Sequence, residues 1–263
     1  MNATLLAFIS IGLYGLGTVY EATTRLKANR TQNALPLLSG LVAACLQVLL
    51  LTTNLQTQSI DYFTLVNSAL LVTAIGVSLL LLISLRYPVQ SMLLFVYPAA
   101  IASTLAFLIS DPTYTDTRFN SGILVHITLS ILAYCILSLA AIQAILVVYR
   151  NKQLKLHQRK SWVDKLPPLL VMESILFDLL KSGTILLAAA IFAGFLFIDN
   201  LFAQHLAHKT FFSLVALSLY TALLIGRRKY GWRGALAASL TLWATASLML
   251  GFFGTKFVLE TIL

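Results

Sequence analysis

Charged residues are scarce in this chain of 263 residues. Asp, Glu, Lys and Arg together make up 10% of it, whereas 59% of the residues are hydrophobic and the mean hydropathy is +0.89. A soluble domain carries about 25% charged residues, and this chain has too few to cover a surface that faces water. Its apolar runs are about 20 residues long, which is the length of a membrane-spanning helix rather than of a barrel strand. The sequence therefore predicts an all-α integral membrane protein.

Cysteines and enzyme motifs are also few. Cys45 and Cys135 both fall inside predicted helices, without the spacing typical of disulfides or metal ligands, and we expect both to be buried. The sequence has no phosphate-binding glycine loop, HExxH motif, serine nucleophile elbow or paired intramembrane carboxylates. We therefore expect no enzyme activity. Residues 1–20 lack a basic region and a cleavage site, which predicts a retained first helix rather than a signal peptide.

Eight hydrophobic segments, each bounded by charged or turn residues, predict eight transmembrane helices. They cover about residues 3–21, 34–53, 64–85, 91–110, 122–149, 172–198, 210–226 and 236–256. The fifth and sixth are long enough to project beyond the hydrocarbon layer. Near the start of the sixth, we expect Asp178 and Lys181 to form an ion pair. We predict a single transmembrane domain over residues 1–263.

The formal net charge of +9 is concentrated in short loops between the segments. With the N-terminus outside, the cytoplasmic loops hold fourteen cations: Arg25, Lys27, Arg30, Arg86, Arg150, Lys152, Lys155, Arg159, Lys160, Lys165, Arg227, Arg228, Lys229 and Arg233. The opposite side holds Arg118, Lys209 and Lys256, together with Asp61, Asp111, Asp116 and Asp199. This asymmetry predicts that both termini are extracytoplasmic. It also indicates contact with the lipid bilayer rather than with nucleic acid.

Three of the four histidines fall on the predicted extracytoplasmic side. These are His126, His205 and His208, whereas His157 lies in the cytoplasmic linker. His126 lies about four residues inside the fifth segment and His208 lies at the start of the seventh, so the rise of about 1.5 Å per residue places them at similar depth. Two imidazoles on different helices suit one planar ligand that lies between them.

A polar row follows His126 at helical spacing. Ser130, Tyr134 and Ser138 continue it every four residues, on a helix face that should contact protein rather than lipid. These side chains either line the ligand site, with Ser130 and Tyr134 binding the cofactor, or hydrogen-bond neighbouring helices.

Two cations and several aromatic residues accompany the histidines on the acidic side. Lys209 and Arg118 either neutralise haem propionates or extend to the interface as ordinary snorkelling side chains. The nearby aromatic residues would form an apolar wall or anchor the interface: Phe119, Phe202, Phe211 and Phe212.

Five stretches of the sequence occur in an order and spacing that are characteristic of one protein family. They are GILVHITLSILAYCILSLAAIQAI at 122–145, LPPLLVMESILFDLL at 166–180, HKTFFSLVALSLYTALL at 208–224, GWRG at 231–234 and GFFGTKFVLE at 251–260. Together they resemble the YpjD/HemX-like branch of the cytochrome c assembly protein family, whose members include CcsA/CcmC-like proteins. The resemblance spans roughly the whole chain and is strongest from Gly122 onwards.

The resemblance implies a bacterial inner-membrane protein related to those that move or hold haem for attachment to apocytochrome c. It implies His126 and His208 as axial ligands and a non-covalent, b-type haem as cofactor. Members that attach haem carry a tryptophan-rich loop ending in a WD-PKE-like sequence, of which only Lys209 matches here. Some relatives also have a histidine in the second helix, where this chain has Gln47, a poor iron ligand. The three tryptophans lie elsewhere, at Trp162, Trp232 and Trp243.

Three functions are compatible with these features. The leading hypothesis is a haem-binding membrane protein that assists cytochrome c maturation or haem trafficking together with other membrane proteins. The second is a non-haem scaffold or accessory factor that binds partners through its basic cytoplasmic loops. The third, a small-molecule transporter, would need a polar path, for which only the row after His126 and Gln47 offer lining.

Overall fold

Eight long helices make up the part of the chain that the structure, a computed structural model, describes: residues 3–26, 34–57, 65–110, 121–156, 166–197 and 204–254. All eight are long and apolar enough to cross a membrane, and the described residues contain no strand. The predicted all-α architecture of eight spans is therefore confirmed. The chain divides into two compact units, Met1–Arg118 and Phe119–Leu263. The single domain and the extracytoplasmic termini stay predictions.

Each unit contains four of these helices. The first holds α1 (Ala3–Leu26), α2 (Leu35–Thr57), α3 (Leu65–Ser84) and α4 (Leu93–Ile109), with a short 3₁₀ turn at Gln90–Met92. The second holds α5 (Ser121–Lys155), α6 (Leu169–Phe197), α7 (Gln204–Tyr230) and α8 (Gly234–Met249), which ends in a π-helical turn at Leu250–Gly254. With 35 residues, α5 is about 52 Å long and exceeds a hydrocarbon layer of about 30 Å, as predicted.

Two prolines set the start of α6. Pro167 and Pro168 precede the helix, and the Pro168 carbonyl accepts hydrogen bonds from the backbone N–H groups of Val171 (3.0 Å) and Met172 (3.1 Å). Proline suits this position because the first turn of a helix has no use for its missing N–H. The helix therefore begins at Leu169, three residues before the predicted segment.

A buried tyrosine holds three helices of the first unit together. Tyr97 of α4 is fully buried, and its hydroxyl donates a hydrogen bond to the Pro36 carbonyl at 2.6 Å. Its ring fills the space beside two glycines. A Cβ atom on Gly17 would lie 2.7 Å from Tyr97 Cε2, and one on Gly40 would overlap the ring. The absence of side chains at these two positions lets α1 and α2 close around the ring.

A polar network crosses the same unit through Gln47, which is fully buried. The Tyr14 hydroxyl donates to Gln47 Oε1 at 2.9 Å, and Gln47 Nε2 donates to the hydroxyls of Thr73 at 3.2 Å and Thr104 at 3.1 Å. The network thus joins all four helices, and interhelical hydrogen bonds of this kind stabilise membrane bundles.

In the second unit, α5 packs along α6 and α8, and α7 packs against α8 and α6. Tyr134 connects α5 to the end of α8: its hydroxyl donates to the Leu248 carbonyl at 3.1 Å, and its ring lies 4.9 Å from that of Phe252. Tyr220 and Thr245 are joined by a hydrogen bond of 2.8 Å between α7 and α8. These two hydrogen bonds therefore fix α8 to both α5 and α7.

Two expectations about individual side chains are wrong. Cys45 is exposed, whereas Cys135 is buried as expected. Cys45 therefore lies on the outer face of α2, and lipid can cover a small apolar side chain there without any protein contact. Asp178 and Lys181 are both exposed, and the described residues show no ion pair between them. Exposed pairs of this kind gain little, since holding two long side chains in place costs entropy.

Candidate histidine site

His126 is held against α6 by a hydrogen bond. Its Nδ1 atom lies 2.7 Å from the backbone carbonyl oxygen of Ala190. A carbonyl only accepts, so Nδ1 must carry the proton and donate it. In the neutral tautomer that donates from Nδ1, Nε2 carries the lone pair, and this is how backbone carbonyls orient metal-binding histidines.

Gly194 allows the His126 ring to approach α6 this closely. A Cβ atom at Gly194 would lie 3.0 Å from His126 Cε1 and 3.1 Å from Nδ1, which is tighter than ordinary contact. Ala190 and Gly194 are four residues apart and lie on one face of α6. Small residues at this spacing mark close helix contacts in membranes. This pattern was available in the sequence and marks α6 as a helix that another helix approaches closely, but it does not say which one.

His208 and Lys209 lie in the second turn of α7. The His208 ring is exposed and makes no hydrogen bond to the described part of the chain. Lys209 is half-buried, and its backbone packs against Gly251 in the π-helical turn after α8. A Cβ atom at Gly251 would lie 3.5 Å from the Lys209 carbonyl oxygen and 2.9 Å from Phe212 Cβ. Gly251 therefore permits the close approach of α7.

The polar row on α5 bonds mainly within the protein. Ser130 donates to the carbonyl of His126 at 2.8 Å, and Ser138 donates to that of Tyr134 at 2.6 Å, both one turn back on their own helix. Tyr134 donates to α8. Each of these hydroxyl protons is thus used by a backbone carbonyl. Contacts of Ser130 and Tyr134 with a cofactor stay predictions.

The end of α8 brings two of the predicted site residues near one another. Tyr134 bonds to Leu248, and Lys209 packs on Gly251, less than one turn further along. His126 lies eight residues before Tyr134 on α5, a distance of about 12 Å along the helix axis. The pairing of His126 with His208 on one ligand stays a prediction.

Some predicted residues lie outside the described part of the chain, namely Arg118, Phe119 and Phe202. Phe211 is exposed and meets Phe212 edge-on at 5.7 Å between ring centres. Among the described residues, no group of three or more His, Cys, Asp or Glu side chains is placed to hold a metal ion. Haem iron requires only axial ligands from the protein, because the porphyrin supplies the other four.

The fold and the site define a class of protein: a polytopic helical membrane protein. Near one end of its second unit, a histidine is held by a backbone carbonyl. The model of the family described as "Cytochrome C assembly protein" matches residues 4–263. The chain therefore belongs to this family, as the sequence resemblance predicted.

Curated relatives agree with this assignment. The chain is 29% identical over 199 residues to "Inner membrane protein YpjD" of Escherichia coli strain K12, which covers 75% of each chain. It is also 29% identical over 140 residues, 52% of each chain, to an "Uncharacterized 28.8 kDa protein in nifR3-like 5'region" of Azospirillum brasilense. No solved structure matches. The predicted location in the bacterial inner membrane is confirmed.

Proposed function

We propose that this protein holds haem at the extracytoplasmic face of the inner membrane during cytochrome c maturation or haem trafficking, without forming or breaking bonds itself. Membership of the cytochrome c assembly family supports a role in cytochrome c maturation. The observation that carries the haem proposal is the hydrogen bond from His126 Nδ1 to the Ala190 carbonyl. It leaves Nε2 as the nitrogen that can coordinate iron.

Four residues share the task of holding haem in this proposal. Haem, when bound, supplies an iron that histidine nitrogens can coordinate, and it carries two propionates that attract cations. His126 would provide one nitrogen ligand in a fixed orientation, and the exposed His208 would provide the second. Lys209 and Arg118 pair with the propionates by charge-assisted hydrogen bonds.

Absorption spectroscopy of the purified full chain tests this proposal. The protein is expressed with haem supplementation, purified in mild detergent and compared with the variants His126→Ala and His208→Ala. We expect a Soret band and a sharp α-band in the unmodified protein, with loss of low-spin features in both variants. His157→Ala, which removes the histidine of the α5–α6 linker, is the matched control and should leave the spectrum unchanged.

The outcomes distinguish a wrong choice of iron ligands from an absence of haem binding. Unchanged Soret and α-band features in both variants would remove these two histidines as ligands while leaving haem binding intact. Loss in only one variant would call for His205→Ala, since His205 also lies in α7. A protein that never acquires a Soret band would end the haem proposal.

A second candidate is a non-haem accessory factor, favoured by one surface. At the turn between α7 and α8, Arg228, Lys229 and Arg233 are all exposed. Such a basic cluster suits acidic segments of a partner protein. Co-purification of partners that survives His126→Ala and His208→Ala, but is lost when the basic cluster is neutralised, would support this role.

A further inference from the structure

An apolar groove lies between α2 and α3 in the first unit. It has a volume of about 490 Å³, within the range of about 300 to 1,000 Å³ that small-molecule sites occupy. Leucines provide most of its walls, namely Leu37, Leu38 and Leu41 on α2, Leu81 and Leu82 on α3, and Leu85 directly after α3. From Ser78 to Leu85 the lining covers seven residue steps, or about 10 Å along the end of α3.

The wall contains two serines, but their hydroxyl groups do not make it polar towards an occupant. The hydroxyl of Ser78 donates to the Ala74 carbonyl at 2.8 Å, and that of Ser84 donates to the Leu81 carbonyl at 2.6 Å. Both hydroxyl protons are used within α3, so neither is available to an occupant. The lining residues include no histidine, cysteine or methionine. An iron-bearing cofactor would find no axial ligand in this groove.

Positive charge lies directly beyond the last lining residue of the groove. Arg86 follows Leu85, the last lining residue, and its side chain is exposed. In the sequence, Arg25, Lys27 and Arg30 precede Ala34, and residues 22–60 contain no Asp or Glu. Because cations concentrate on the cytoplasmic side, this end of the first unit is predicted to face the anionic leaflet.

These features define the chemistry of the occupant. A transmembrane helix, about 10–12 Å in diameter with its side chains, is too bulky for a recess of this volume. A flexible hydrocarbon chain suits leucine walls that bond no polar atom. We infer that the α2–α3 groove binds an acyl chain of an anionic phospholipid whose phosphate pairs with Arg86.

Native mass spectrometry of the full chain in detergent tests this lipid site. Phosphatidylglycerol and phosphatidylcholine with identical acyl chains are added separately. We expect the anionic lipid to bind about fivefold more tightly, the effect of one cation near a membrane surface. Arg86→Gln should remove this preference, whereas Arg228→Gln, a loss of one exposed cation in the second unit, should preserve it.

A second pair of variants tests the groove itself. Leu41→Trp fills it and should abolish retention of both lipids. Leu49→Trp places the same ring on α2 at a position that is 41% exposed and does not line the groove, and it should retain them. Melting temperatures measured for each variant separate a filled groove from a misfolded protein.

Several results would overturn the inference. Equal binding of both lipids by the unmodified protein would remove the role of Arg86, and equal retention by the two tryptophan variants would remove the groove. Displacement of bound lipid by soluble glycerol phosphate would indicate a headgroup site without an acyl chain. A protein dimer that Leu41→Trp dissociates would assign the groove to a second copy of this chain.

Discussion

Gly194→Ala tests whether α6 positions the candidate iron ligand. The added Cβ would lie 3.0 Å from His126 Cε1, whereas carbon atoms in contact prefer about 3.5–4.0 Å. The ring must therefore move by about 0.5 Å. The hydrogen bond between Nδ1 and the Ala190 carbonyl, now 2.7 Å, would stretch to about 3.2 Å, the upper end of the normal range.

The free-energy change follows from three contributions. Crowding in a packed core costs about 1–3 kcal/mol, and weakening the hydrogen bond costs up to about 1 kcal/mol. Alanine returns about 0.5–1 kcal/mol, because glycine is unfavourable inside a helix. We expect a net destabilisation of about 1–2 kcal/mol. Haem affinity should fall about 10- to 100-fold, as when other partners of ligand histidines are disturbed.

Haem titration followed at the Soret band measures the affinity, and thermal unfolding in detergent measures the stability. Gly15→Ala is the matched control, because a Cβ there would meet nothing within 4 Å, and it should leave affinity unchanged. ¹⁵N NMR of labelled histidine gives a readout that needs no haem, since it reports whether Nδ1 carries the proton. Normal affinity in Gly194→Ala, combined with loss in His126→Ala, would refute positioning by α6.

Three further predictions concern stability, each measured by thermal unfolding in detergent. Gly40→Ala should destabilise the protein by about 1–3 kcal/mol, because the new methyl group overlaps a buried tyrosine ring, and Gly12→Ala, which meets nothing within 4 Å, should not. Gln47→Leu should cost about 1–3 kcal/mol, because the buried Tyr14 hydroxyl loses its acceptor while the threonine hydroxyls keep their backbone acceptors; an unchanged melting temperature would show that the bond from Tyr14 adds nothing. Glu173→Ala should cost about 1 kcal/mol, since Glu173 Oε1 accepts a hydrogen bond of 2.9 Å from the Gly234 N–H at the start of α8, whereas Glu173→Gln keeps an acceptor oxygen and should recover most of it.

The spans were predictable because each depends on local composition. A run of about 20 apolar residues has few alternatives in a bilayer. Six of the eight observed helices, with the π-helical turn counted as part of α8, begin and end within five residues of the predicted segments. The exceptions are α7, which begins at Gln204, and α5, which continues to Lys155. Its last turns carry cations, which mark the end of a membrane span but not the end of a helix. Polar residues favour α-helix as readily as apolar ones once the chain leaves the lipid.

The neighbours of each site residue could not be predicted in the same way. The sequence indicated a polar face on α5 through His126, Ser130 and Tyr134, but hydropathy does not state which helix that face meets. The partner of His126 is a backbone carbonyl, which every residue possesses and which leaves no mark in composition. The GWRG stretch is a similar case, because the backbone N–H of its last glycine donates a hydrogen bond to the Glu173 carboxylate.

Gln47 and His126 show how hydrogen bonding separates a structural polar group from a candidate ligand. Both lie on membrane helices, and both attracted attention in the sequence. Both ends of the Gln47 amide are used, the oxygen by Tyr14 and the nitrogen by hydroxyls on two helices. One nitrogen of His126 is used, and the bond that uses it prepares the other for coordination. The difference assigns Gln47 to packing of the first unit, and it places the case for a haem ligand on the contact between α5 and α6.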